Sequence, residues 1–156
     1  MIDISFLLPT NRGYETFAKR VVGNINSLNF NGLNHEIVII SPSVVQGENV
    51  KYVKDNNIGS VCAYNKGYRE SKGKYIFLCS DDHYFDVNAV KILEQFNSNE
   101  YKDRKYKVVC LPTNNHGPCS LPGYTDCKGI IARFPVYERD TVEKYLNGFI
   151  QTSLCR

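Results

Sequence analysis

The chain has 156 residues, 42% of them apolar, which fits one domain with one core rather than two. At this size roughly 70% of the unfolded chain's surface is buried on folding, so stability requires neither disulfides nor a structural metal. Lys and Arg number 19 against 16 Asp and Glu, a formal net charge of +3, and no block of like charge occurs, so nucleic-acid binding gains no support. The densest basic stretch, Lys102 to Lys107, is interrupted by Asp103 and reads as a solvated turn.

Ile2 to Leu8 is an apolar run closed by Pro9-Thr10-Asn11-Arg12-Gly13, the signature of a buried strand opening into a polar loop. Tyr14, Phe17, Val21, Ile25 and Leu28 recur at three- and four-residue spacing and predict an amphipathic helix over 14–28. Glu36 to Ile40 is a second apolar strand ending at Ser41-Pro42. Val50 to Val53 reads as a short third strand, and Ser60 to Ser71 as a helix whose Ala63 and Gly67 permit close packing, with Gly73 ending it. Tyr75 to Leu78 is a fourth strand that runs straight into Ser80-Asp81-Asp82-His83. Asp86 is placed to cap a helix over Val87 to Phe96, and Lys107 to Leu111 is a fifth strand.

Asn114 to Gly129 reads as a long loop, followed by a short strand pair around Ile130 to Tyr137. Asp140 and Glu143 form a capping pair for a last helix ending near Gly148. Strands alternating with helices imply a single α/β domain, Rossmann-like, whose mostly parallel central sheet is covered by helices on both faces.

No run of about 18 apolar residues exists, which excludes a membrane-spanning helix. The N-terminal Met1-Ile2-Asp3-Ile4 has no basic region followed by a long apolar core, so a cytoplasmic location is expected. In a reducing compartment the six cysteines default to free thiols. Cys62, Cys79 and Cys110 fall in apolar runs, where cysteine acts as a small hydrophobe. His116, Cys119 and Cys127 lack the paired CxxC spacing of a zinc site.

Ligands of open α/β sheets bind at the carboxyl ends of the strands, here the polar loops after strands one, two and four. Asp81 and Asp82 stand adjacent at such an end, and neighbouring carboxylates repel one another, which a divalent cation most readily offsets. Hard oxygen ligands favour Mg2+ or Mn2+, which in turn favour phosphate oxygens. An isolated Asp-Asp pair is also compatible with a plain turn.

The stretch from Lys51 to Phe85 resembles the central segment of the family 2 glycosyltransferases with the GT-A fold. Gly59, Asn65, Gly67, Ser71, Gly73, Tyr75 and Ile76 stand where that pattern expects them, ahead of the acidic motif. Ser5 to Arg12 is similarly like the family's first strand and nucleotide-contacting loop. The resemblance implies that Pro9, Thr10 and Arg12 lie beside the base and ribose of a nucleotide diphosphate sugar, a UDP-sugar foremost. It further implies that Asn65 approaches the nucleotide, that Asp81 contacts ribose or sugar, and that Asp82, with Asp81 beside it, ligates Mn2+ or Mg2+. The implied reaction is transfer to a glycan or other hydroxyl acceptor with inversion. In that reading 1–112 is the donor-binding sheet and 113–156 a partial acceptor side.

The chain departs from the family at four points. Ser41-Pro42 stands where an acidic residue usually holds the base, Tyr64 where Arg often precedes the Asn-x-Gly, and Cys79 where the metal motif has its first acid. The family's catalytic base, an Asp commonly preceded by Glu, has no counterpart before Arg156, which implies a truncated transferase or another carboxylate. Asp126 and Glu138 are the candidates for that base, and a second copy or partner chain is a further source. The alternative is a non-catalytic nucleotide-sugar-binding module. A nucleotidyltransferase ranks last, because only Arg12 and Gly13 are available where it needs a glycine-rich basic loop.

Overall fold

The computed structural model describes residues 1–57, 59–99, 102–103, 107–110 and 135–146. In chain order these form strand β1 (Ile4–Pro9), helix α1 (Lys19–Asn26), β2 (His35–Ser41), β3 (Val50–Lys54), α2 (Ser60–Glu70) and β4 (Tyr75–Leu78), then a 3-10 helix (Ala89–Asn97), β5 (Val108–Cys110), β6 (Pro135–Glu138) and the short α3 (Arg139–Thr141). One sheet of six strands takes the order β3-β2-β1-β4-β6-β5. β3, β2, β1 and β4 run parallel, while β6 is antiparallel to both of its neighbours. The expected mostly parallel sheet is thus present.

Side-chain alternation builds a core on each face of this sheet. Ile4, Phe6 and Leu8 of β1 join Ile37, Ile39, Tyr75 and Phe77 under α1 and the 3-10 helix. Leu7, Val38, Ile40 and Ile76 point to the other face, where Ala63 and Tyr68 of α2 cover them. The central strands are apolar on both faces because helices cover both, which is why they read as unbroken apolar runs. Among the described residues no helix is long and apolar enough to cross a membrane.

Several sequence expectations are corrected in detail. The helix expected over 14–28 is a π-helical turn over Tyr14–Ala18 followed by α1. The wider turn takes Phe17 off the apolar stripe, and it lies half-buried with the Arg12 guanidinium 4.4 Å from its ring centre. The segment expected as an α-helix over 87–96 is 3-10. Its buried Val90, Leu93 and Phe96 recur every third residue, which suits three residues per turn better than 3.6. Asp86 accepts the Asn88 N–H at 2.9 Å just ahead of it.

The strand pair expected around 130–137 is, in its described part, β6 alone, inserted between β4 and β5. Asp140 does not cap the last helix, since Glu138 holds the N-cap position with no side-chain cap bond. Cys62 is disulfide-bonded, against the default of free thiols, whereas Cys79 is free and buried.

The turn Lys72-Gly73-Lys74-Tyr75 is held against the amino ends of β1 and β2. Ser5 Oγ accepts the Gly73 N–H at 2.7 Å and donates to Glu36 Oε1 at 2.6 Å. The same Glu36 oxygen accepts the Lys72 N–H at 2.6 Å. Arg139 donates to Gly73 O and to Ser71 Oγ, both at 2.7 Å, and so ties α3 to the same turn. Gly73 is required by close approach rather than by helix termination, because a Cβ there would lie 2.5 Å from Ser5 N.

His35, at the start of β2, stacks on Phe30 with ring centres 3.9 Å apart. Burial lowers its pKa, against a weaker opposing pull from Glu48. The unfolded chain therefore binds this proton more tightly, near a pKa of about 6.5. The stability His35 permits near neutrality is lost as pH falls through that value. Melting temperature is expected to drop on acidification through that range, and less steeply in His35→Gln. Equal slopes in the two proteins would remove His35 from the account.

Candidate functional site

Parallel register brings the site together. Leu7 pairs with Leu78, so three residues further on Thr10 and Asp81 emerge side by side at the carboxyl ends of β1 and β4. Thr10 is fixed by its N–H donating to Ile40 O at 2.9 Å, and Cys79 by its N–H donating to Leu7 O at 2.9 Å. Thr10 Oγ1 then donates to Asp81 Oδ2 at 2.6 Å. Arg12 donates to the same oxygen through Nε at 3.3 Å and pairs with Asp81 Oδ1 through Nη2.

The same Arg12 Nη2 lies 3.0 Å from Asp82 Oδ2. Asp82 Oδ1 accepts from Ser80 Oγ at 2.5 Å and contacts His83 Nδ1 at 2.7 Å. These donors, the Ser80 hydroxyl foremost, hold the Asp82 carboxyl at a pKa of about 2 against burial, so it is ionised at neutral pH. One guanidinium thus bridges both carboxylates. The repulsion that the sequence assigned to a cation is already offset in part by Arg12.

The two acids differ in setting. The Asp81 side chain is 9% exposed and that of Asp82 46%. Asp81 uses three of a carboxylate's four or so acceptor positions inside the protein, leaving room for about one more donor. Asp82 faces solvent, with acceptor capacity left on Oδ2. Mg2+ and Mn2+ commonly take one or two protein carboxylates and complete their shells with phosphate and water. The oxygen donors here fit that requirement, with Asp82 the accessible carboxylate. Among the described residues no group of three or more His, Cys, Asp or Glu gathers as a metal cluster.

A pocket of about 200 Å³ opens beside this cluster, bounded by Pro9, Thr10, Asn11, Ser80 and Asp81 on one side and by Asp55, Asn57, Gly59, Ser60, Ala63 and Tyr64 on the other. Tyr64 donates its hydroxyl to Cys79 O at 2.6 Å, and burial pushes its pKa up. It therefore braces the strand end that carries Ser80 and Asp81. Cys79 itself is buried, and its thiol pKa is raised well above the ordinary value by burial. It contributes an apolar side chain where the family pattern has an acid.

The structure gathers Pro9, Thr10, Arg12, Asp81 and Asp82 at one end of the sheet, in the loops that follow β1 and β4. Asn65 is buried in α2 and is not among the residues lining the pocket. Glu138 pairs in register with Tyr75, at the opposite end of β4. Lys74 and Lys107 lie 3.6 and 3.5 Å from its carboxylate oxygens, so the structure does not bring Glu138 to this cluster. Asp126 lies outside the described residues, as do His116, Cys119 and Cys127.

Sequence reasoning missed Asp55 and the part played by Tyr64. Both lie on the pocket's far wall, built from the β3–α2 connection. The available signal was that β3 also ends there: every parallel strand of such a sheet opens a loop on the same side.

No protein-family model matches the chain, and no curated protein matches it by sequence. Solved structures do match in fold. TarS of S. aureus (residues 1–349) superposes with a TM-score of 0.63 at 12% identity, over 91% of this chain and 48% of that one. The same protein in complex with UDP-GlcNAc gives 0.61 at 12% identity, over 91% and 47%. The mannosyltransferase PcManGT from Pyrobaculum calidifontis, solved with GDP-Man and Mn2+, gives 0.60 at 14% identity, over 93% and 46%. The chain spans about half the length of these structures. Its fold is the Rossmann-like GT-A fold of glycosyltransferases.

Proposed function

We propose that this chain is the donor-binding part of a glycosyltransferase, taking a nucleotide diphosphate sugar and, with Mn2+ or Mg2+, passing the sugar to an acceptor hydroxyl with inversion. The observation that carries this reading is the Thr10-Arg12-Asp81-Asp82 cluster at the carboxyl ends of β1 and β4, beside an open pocket. Support for a nucleotide sugar comes from fold neighbours solved with UDP-GlcNAc and GDP-Man, one of them with Mn2+.

The residues divide the work according to their exposure. Thr10 and Arg12 hold Asp81 in place, and its remaining acceptor capacity suits a ribose or sugar hydroxyl. Asp82 would hold the divalent cation, whose charge would stabilise the nucleoside diphosphate leaving group. Arg12, whose side chain is 40% exposed, is within reach of the same diphosphate. The pocket, lined by Tyr64 on its far wall, receives the nucleoside. Residues 113–156 begin the acceptor side.

Calorimetry with Mn2+ and a panel of nucleoside diphosphates tests the reading. Metal-dependent binding is the expected result, and no binding of any of them sinks it. Binding without transfer or donor hydrolysis, with acceptors supplied, favours the non-catalytic module.

A further inference from the structure

Arg12 is held on three sides. Its Nε donates to Asp81 Oδ2 at 3.3 Å, and its Nη2 pairs with Asp81 Oδ1 and lies 3.0 Å from Asp82 Oδ2. Its guanidinium carbon stands 4.4 Å from the centre of the Phe17 ring. Ser80 and His83 engage the other Asp82 oxygen, Oδ1. The guanidinium therefore sits on the Asp82 oxygen that those two neighbours leave. Asp81 is the fixed member of the cluster, 9% exposed and bonded to Thr10 as well, whereas the Arg12 side chain is 40% exposed.

A divalent cation and Arg12 Nη2 on one carboxylate oxygen are like charges a few ångströms apart, and they repel. A neighbouring Arg weakens a carboxylate's hold on a proton by about 10-fold or more, and it acts in the same direction on a metal ion. Arg12 has a second class of partner, because its planar fork matches phosphate as well as carboxylate. The pocket bounded by Pro9, Thr10, Asn11 and Asp81 opens beside it.

Resting on the nucleotide reading above, we infer that Arg12 is an exchangeable counter-cation: it neutralises the acidic pair until metal and diphosphate arrive together, then yields the Asp82 oxygen to the metal and pairs with the diphosphate. Metal alone must compete with the guanidinium. Diphosphate alone must approach two carboxylates while drawing away their counter-charge. Each ligand removes the other's cost, so the two bind with positive coupling, and by linkage the coupling is the same in either order. The ion pair that balances the acidic cluster thus also keeps free metal off it.

The test compares the wild type with Arg12→Gln by calorimetry. Two titrations are made: Mn2+ alone, and UDP or GDP, whichever the wild type binds more tightly, in saturating Mn2+. Arg12→Gln is expected to bind Mn2+ alone about 10-fold more tightly and the nucleotide about 10-fold more weakly. Opposite signs from one substitution are the signature, since a residue that only holds the loop in shape would weaken both. Adding Asp82→Ala to Arg12→Gln is expected to abolish the gain in Mn2+ affinity. Arg12→Lys, which keeps the charge but not the fork, serves if the Gln variant does not fold, with the same two signs at about 3-fold each. The role of Arg12 alone is overturned by Mn2+ affinity that is undetectable, unchanged or lowered in the variant, by a gain that survives Asp82→Ala, or by unweakened nucleotide binding. No nucleotide binding by the wild type in Mn2+ overturns the nucleotide reading and this inference with it.

Discussion

Asp82→Ala is expected to lose Mn2+-dependent nucleotide diphosphate binding by about 100-fold or more, with a melting temperature close to that of the wild type. Even residues that only support a metal ligand cost about 10- to 100-fold when removed, so loss of the accessible ligand is expected to reach at least the top of that range. Stability changes little because Asp82 is 46% exposed and exposed ion pairs contribute about 0–1 kcal/mol.

Asp81→Ala separates the two acids. It removes the buried partner of Thr10 Oγ1, a charge-assisted bond of about 1.5–3 kcal/mol, and frees Arg12. Binding and stability are therefore expected to fall together. Parallel titrations and thermal melts of both variants decide the matter. If both lose only stability, or Asp82→Ala binds as the wild type does, the cluster is a turn and not a ligand site.

The second large effect is structural. Gly73→Ala is expected to lower stability by about 3 kcal/mol, at the upper end of what overpacking costs, and the melting temperature by roughly 6–12 °C. The added Cβ meets Ser5 N at 2.5 Å and Ile4 C at 2.6 Å, and both are backbone atoms of β1. That strand is hydrogen-bonded to β2 on one side and β4 on the other, so it cannot yield.

Two other glycines serve as controls. At Gly67 the Cβ would meet Ile40 Cδ1 at 2.7 Å, the end of a side chain that can turn, and alanine's better helix propensity offsets part of the cost. At Gly23, mid-helix in α1, nothing lies within 4 Å, and alanine is expected to stabilise by about 0.5–1 kcal/mol. Differential scanning calorimetry on the three variants would show the order Gly73, Gly67, Gly23 from most to least damaging. A Gly73→Ala protein that melts with the wild type contradicts the close approach.

These contrasts indicate what the sequence pattern records. The Asn65 to Tyr75 stretch and the Asp81-Asp82 pair belong to one family-like motif, yet they do different things. Gly73, Ser71 and the Lys72 N–H are locked to Ser5, Glu36 and Arg139 at the amino ends of the strands. Asp81 and Asp82 lie at the carboxyl ends. A motif read along the chain does not distinguish a residue that holds the sheet closed from one that stands at the pocket.

Glu138 makes the same point from the other direction. By composition it is a carboxylate near the chain's last helix and so a candidate base. Strand β6 runs antiparallel beside β4, which carries Glu138 to the lysines at the sheet's far end.

The alternation of apolar runs with amphipathic segments determined the α/β class and the mostly parallel sheet. That information is local, since a strand covered on both faces must be apolar throughout. The acidic pair at the end of β4 was legible for the same reason, because parallel strands open their ligand loops on one side. Only the tertiary structure decided the charge balance and the pocket's far wall. Arg12 and Asp81 are 69 residues apart, and their meeting depends on the β1–β4 register. Asp55, whose Oδ1 is buried without a hydrogen-bond partner among the described residues, became visible only once β3 was seated beside β2. Burial and hydrogen-bond satisfaction are properties of what surrounds a side chain, and most of those surroundings come from elsewhere in the chain.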